Sequence, residues 1–110
     1  MKLRLEDNTL RLRLSPEEVT AFRQSGHLET VVPLGLSATD RLTYVLERTD
    51  TINGSELQLK HSPDHITVLL PATLADDWTS SDAISLTGSL PVLDNKELRI
   101  LVEKDLGCKH

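Results

Sequence analysis

Apolar and charged residues alternate from the start of the chain: Leu3 and Leu5, then Leu10, Leu12 and Leu14, recur at a period of two, with Asp7-Asn8 between the runs. A period of two places alternate side chains on opposite faces of an extended strand, and an Asp-Asn pair between two such runs is turn chemistry. The pattern predicts a β-hairpin. With Asp7 and Asn8 as the loop, Glu6 faces Thr9, Leu5 faces Leu10 and Leu3 faces Leu12. The opposite face then brings Arg4 against Arg11 and Lys2 against Arg13. Like charges directly across a strand pair are destabilising, so this face requires neighbouring carboxylates, a bound anion or open water.

Ser15-Pro16-Glu17-Glu18 marks a helix start. Ser15 suits the N-cap, Pro16 the first helical position, and Glu18 the return arm of a capping box, with Leu14 and Val19 as a hydrophobic staple. Arg23 in the last turn and Gly26 as a left-handed stop end the helix, which spans 16–25 and turns Val19 and Phe22 inward, with Ala21 beside them.

Further on, Leu28 to Val32 reads as a strand that Pro33 ends, and Leu34 to Asp40 as a connection. Arg41 to Arg48 is a strand with Leu42, Tyr44 and Leu46 on one face and Thr43, Val45 and Glu47 on the other. A turn region containing Asn53-Gly54 leads to a second hairpin, Glu56 to His61 and Ile66 to Leu70, closed by Ser62-Pro63-Asp64-His65. Pro71 to Trp78 reads as a short helix with Leu74 and Trp78 on one side. Ala83 to Thr87 and Leu90 to Leu93 form one or two strands around Gly88, Asp94 to Glu97 turns, and Leu98 to Glu103 is the last strand. No internal repeat, linker or low-complexity tract appears. The order predicts a single α+β domain over 1–110, built on a mostly antiparallel, strongly twisted or partly closed sheet of about 7–8 strands with two short helices.

Composition narrows the function classes. A chain of 110 residues is long enough to bury a core without cross-links, and Cys108, the only cysteine, excludes an internal disulfide and a cysteine-built zinc site. Met1 to Leu10 lacks the apolar run of a signal peptide, and no later run reaches a membrane span, so a cytoplasmic protein without membrane contact is expected. Seventeen acidic residues against twelve Lys and Arg give a net charge of −5. That balance, with Phe22, Tyr44 and Trp78 widely separated, argues against nucleic acid as a partner. Charge is nonetheless uneven, since residues 1–14 hold four cations against two acids and the remainder eight against fifteen.

The basic island, Lys2, Arg4, Arg11 and Arg13, is the candidate anion- or partner-binding site, because guanidinium groups on adjacent strands fork onto carboxylate or phosphate oxygens. The competing reading is a solvated ladder neutralised by an acidic residue of a flanking strand, with Glu29, Glu47 and Glu103 as candidates. His61 and His65 bracket a Pro-containing turn, where helical metal-pair geometry is lost, and His27 follows a helix end; all three read as surface residues. Cys108 and His110 lie at a chain end without a fixed base, so no nucleophile is assigned there. Asp76, Asp77, Asp82, Glu103 and Asp105 read as solvated charges. No nucleophile elbow, P-loop, dinucleotide fingerprint or zinc-protease motif occurs, so no catalytic residue, metal ligand or cofactor is assigned.

Met1-Lys2-Leu3-Arg4-Leu5, the run from Asn8 to Ser15 with Glu18-Val19, and Leu101-Val102-Glu103-Lys104-Asp105 with Cys108 resemble the ends of a family of small bacterial proteins of unknown function. The middle of the chain matches by its order of strands and by Trp78. The resemblance implies an uncharacterised bacterial, cytoplasmic protein and supplies no activity. The expected function is a non-enzymatic binding module that contacts an acidic partner, or another copy of itself, through the basic hairpin face or a strand edge. The alternative is a small enzyme or ligand-binding protein holding a phosphorylated or carboxylated metabolite on the cationic cluster, with Glu103 as its acid/base group.

Overall fold

The structure is a computed structural model and describes residues 1–50 and 56–105. Its elements are β1 (Lys2–Glu6), β2 (Thr9–Leu14), α1 (Pro16–Ser25), β3 (His27–Pro33), β4 (Arg41–Thr49), β5 (Gln58–Ser62), β6 (His65–Pro71), α2 (Ala72–Ser80), β7 (Ser85–Val92) and β8 (Lys96–Lys104), with a single 3-10 turn at Leu93–Asn95. The α+β class and the element order agree with the sequence reading. The residues around Gly88 form one continuous strand. Asn53-Gly54, Cys108 and His110 lie outside the described residues.

The single, partly closed sheet is corrected by the topology. The strands form two four-stranded sheets, ordered β1-β2-β8-β7 and β3-β4-β6-β5, and neither closes into a barrel. Each sheet consists of two antiparallel hairpins joined at its centre by a parallel pair, β2 with β8 and β4 with β6. Short connections between successive strands do favour antiparallel neighbours, and all four hairpins obey that rule. The two parallel pairs join strands distant in sequence, and no local signal encodes them.

Those pairs disclose an internal structural repeat, which corrects the expectation that the chain contains none. Leu10 pairs with Ile100 in one sheet, and Ile66 with Tyr44 in the other; both relations shift by the same 56 positions (66 − 10 and 100 − 44). The half β1-β2-α1-β3-β4 is repeated as β5-β6-α2-β7-β8. Each sheet takes its first hairpin from one half and its second from the other. The shift maps Phe22 onto Trp78 and Val19 onto Ala75, the buried residues of the two helices. It also maps Met1 onto Leu57, two residues that precede a first strand and reach the opposite sheet. Tyr44 Oη donates to the Met1 carbonyl at 2.7 Å. Leu57 lies against Gly88, where an added Cβ would sit 3.1 Å from the Leu57 Cβ.

The inward positions of both sheets and the apolar sides of both helices meet in one core that includes Leu12, Leu14, Phe22, Leu46, Leu57, Leu70, Trp78, Ile100 and Val102. Trp78, the largest buried side chain, satisfies its indole by donating to the Ile84 carbonyl at 3.1 Å. A buried indole N–H usually finds such an acceptor, since leaving it unpaired offsets part of the gain from burying the ring.

α1 runs as its caps dictate. Ser15 Oγ accepts from the Glu18 amide at 3.2 Å, and Glu18 Oε1 accepts from the Ser15 amide at 2.9 Å, closing the capping box. Gly26 ends the helix at φ 73°, a left-handed conformation that costs glycine nothing. Ala21 is exposed. Glu18 also pairs with the Met1 amino group. Burial raises its carboxyl, but hydrogen bonds from that amino group and from Ser15 outweigh the effect and hold it below the ordinary carboxylate range.

Three outcomes follow. Ser15→Ala should cost about 1 kcal/mol in chemical denaturation, as N-cap loss does. Trp78→Ala should cost about 3–5 kcal/mol by the same measurement followed by circular dichroism, since it empties the centre of the core. Because the Glu18 carboxyl is depressed in the folded state, its stabilisation is complete at neutral pH and is lost as pH falls through the carboxylate range. A stability-against-pH series should show a shallower acid limb for Glu18→Gln than for the wild type.

Candidate functional site

The hairpin register is the one the alternating leucines predict: Lys2 lies opposite Arg13, Leu3 opposite Leu12, Arg4 opposite Arg11, Leu5 opposite Leu10 and Glu6 opposite Thr9. Leu10, Leu12 and Leu14 are buried in the core, so Arg11 and Arg13 face outward, and strand alternation keeps Lys2 and Arg4 on that same face. The tip is held by the neighbouring strand. The Asn8 carbonyl accepts from the Arg99 amide at 2.8 Å, and Asn8 Nδ2 donates to the Glu97 carbonyl at 3.2 Å.

Across the outer face the pairings make three rows: Lys2–Arg13–Glu103–Ser85, Arg4–Arg11–Leu101–Thr87 and Glu6–Thr9–Arg99–Ser89. The structure therefore brings all four predicted cations together and adds a fifth, Arg99. Its place in an alternating strand was legible, but its row depends on the parallel β2–β8 register. Small hydroxyl residues of β7 complete the far side of the face.

Of the three proposed counter-charges, Glu103 is the one on this face. Its Oε1 lies 3.3 Å from Arg13 and 3.5 Å from the Arg11 Nε. Glu29 and Glu47 belong to the other sheet. Arg4 pairs with Glu6 at 3.4 Å, a contact in which both side chains are 63% exposed and which water largely screens. Lys2 and Arg99 have no ion-pair partner among the described residues. The Arg11 Nε is buried without a hydrogen-bond acceptor, since the Glu103 oxygen beside it meets the distance for an ion pair and not the geometry of a hydrogen bond. One carboxylate shared by two guanidiniums leaves the face with excess positive charge and spare donors. Two depressions cross it, one of about 300 Å³ walled by Lys2, Arg4, Arg11 and Arg13, the other of about 260 Å³ walled by Arg4, Arg11 and Arg99 with Glu6 and Thr9.

Sequence reasoning did not find the second outward face, where the repeat places a counterpart surface of different chemistry. Its rows are His27–Glu47–Leu69–Gln58, Glu29–Val45–Thr67–Lys60 and Val31–Thr43–His65–Ser62. A cavity of about 470 Å³ lies over it. His27 stands between two carboxylates, its Nε2 3.6 Å from Glu29 and its Nδ1 3.4 Å from Glu47. The register puts His65 on this face and pairs His61 with the half-buried Ile66, and both histidines that bracket the turn line the cavity. Among the described residues no group of three or more His, Cys, Asp or Glu side chains is placed to hold a metal ion. Of the acidic residues read as solvated charges, Asp76 is clamped by Arg48 through two hydrogen bonds of 3.0 and 3.1 Å. That clamp raises the Arg48 guanidinium above its ordinary value.

No helix among the described residues is long and apolar enough to cross a membrane. No curated protein and no solved structure matches the chain. A model of a family of unknown function, DUF7009, matches residues 1–110. A match over that span establishes kinship while assigning no chemistry: the chain belongs to the DUF7009 family.

Proposed function

We propose that the protein is a non-enzymatic binding module whose outer β1-β2-β8-β7 face engages an acidic protein partner. The observation that carries this reading is the three-row array in which Lys2, Arg4, Arg11, Arg13 and Arg99 share one outward surface with Glu103 as its central carboxylate. The cations around the two depressions stay accessible to a large partner: the Arg4 side chain is 63% exposed, Arg13 43% and Arg11 30%. A metabolite-processing enzyme needs its charged groups gathered in an enclosed, water-poor site. Here the candidate acid/base group, Glu103, is already occupied by two guanidiniums.

Charge also distinguishes the partner. A second copy docked by the same face would set arginine against arginine, and pairing along the free β1 edge would bring Lys2 and Arg4 of each copy together. An acidic surface meets neither penalty. Positive arrays of this kind act chiefly on encounter rate and register, so binding should weaken steeply with salt.

A fluorescent oligo-glutamate peptide serves as the probe in an anisotropy titration. Binding at low ionic strength is expected, falling about tenfold or more in the Arg4→Glu/Arg13→Glu double variant, which is ~1.4 kcal/mol or greater. Glu103→Gln, which frees Arg11 and Arg13, should tighten it. Absence of binding at low salt, or binding indifferent to the double variant, would overturn the proposal. Pyrophosphate is the control ligand in a thermal-shift assay: stabilisation by pyrophosphate with no oligo-glutamate binding would instead favour a small-anion site in the depression beside Arg4, Arg11 and Arg99.

A further inference from the structure

The second outward face is independent of that reading, and its layout is specific. In the row Glu29–Val45–Thr67–Lys60 the two ends carry opposite charges on the edge strands β3 and β5, and the middle is a floor of small side chains. Val45 is 2% and Thr67 8% exposed although both point away from the core cluster. Both line a cavity of about 470 Å³ on this surface. That volume falls in the range of small-molecule sites. The equivalent row on the cationic face, Arg4–Arg11–Leu101–Thr87, has neither the small floor nor the acidic end.

Polarity runs across the cavity. Glu29 and Glu47 line the β3–β4 side, and Lys60 and His65 the β5–β6 side. His27 approaches one oxygen of Glu29 and one of Glu47, and an ionised carboxylate offers about four lone-pair sites. Both carboxylates therefore keep acceptor capacity for an incoming ammonium.

We propose that this cavity binds a dipeptide-sized zwitterion, with its ammonium against Glu29 and Glu47 and its carboxylate against Lys60 and His65. The edge strands are three inter-strand spacings apart, about 14 Å. The Glu29 and Lys60 side chains cover part of that span, and the remainder suits charges separated by roughly 6–7 Å, the extended length of two residues. A single amino acid is too short to reach both ends, and a neutral compound of the same size leaves both edges unanswered.

Calorimetric titration of the intact protein with alanyl-alanine tests the proposal, using the N-acetylated and C-amidated dipeptides for comparison. The free dipeptide is expected to bind. Blocking either end, or the substitutions Glu29→Gln or Lys60→Met, should each weaken binding about tenfold. The Arg4→Glu/Arg13→Glu variant, altered on the opposite face, should bind as the wild type does. Glu29 and Lys60 are exposed, so their variants retain the fold, as thermal unfolding will verify. No heat of binding with millimolar dipeptide, or equal binding of the blocked compounds, would overturn the proposal and leave the reading of the cationic face untouched.

Discussion

The parallel register of β2 and β8, with Leu10 beside Ile100 and Leu12 beside Val102, constrains the rest of the molecule. It joins the first hairpin of the chain to the last, so the sheet cannot be completed until strands far apart in sequence have met. Its counterpart, β4 with β6, does the same for the other sheet at a shorter separation. Contacts of such separation are slow to form because the closure entropy is lost before they contribute. Once made, they turn four hairpins, each marginal alone, into two four-stranded surfaces with a shared core.

The same register recurs because the two halves repeat one order of elements. Each half supplies one hairpin to each sheet, and each helix crosses from one sheet to the other. Phe22 and Trp78 therefore meet in a common core from equivalent positions. Exchange of this kind removes the need for either half to bury its own apolar face. Outward positions are free of that packing constraint, and there the halves differ. A glutamate of the last strand, Glu103 or Glu47, and an edge cation, Arg4 or Lys60, occur in both. Arg11, Arg13 and Arg99 are replaced by Thr67, Leu69 and Thr43, which turns a cationic surface into one with a small, nearly buried floor.

Glu103 is the electrostatic hinge between the two readings of the hairpin. Without a carboxylate in that row, Arg11 and Arg13 would face each other's neighbours uncompensated on a sheet face. With one shared between them, the array is held in place yet not neutralised. Surface ion pairs contribute little to stability, so this arrangement is better understood as positioning the guanidiniums than as holding the fold together. The clamp of Arg48 on Asp76 joins β4 to α2 and leaves no comparable excess.

By itself the sequence determined what local physics determines. Alternation of leucine with charge specified the first hairpin and its register to the residue, and Ser15, Pro16, Glu18 and Gly26 specified the span of α1, because turn chemistry, capping and side-chain period act between neighbours. It also showed that the outward side of the hairpin needed compensation, and it placed Glu103 among three candidates. Tertiary structure decided which glutamate answers that need, that Arg99 joins the array, that eight strands divide into two sheets instead of one, and that His27, Glu29, Glu47, Lys60 and His65 surround one cavity. The repeat stayed hidden for the same reason. Across the first hairpin and helix the two halves share only Leu3/Leu59, Leu14/Leu70 and Ser25/Ser81. A core asks only for apolar side chains of suitable volume at equivalent places, and the pairing of distant strands depends on backbone hydrogen bonds that every residue type can make.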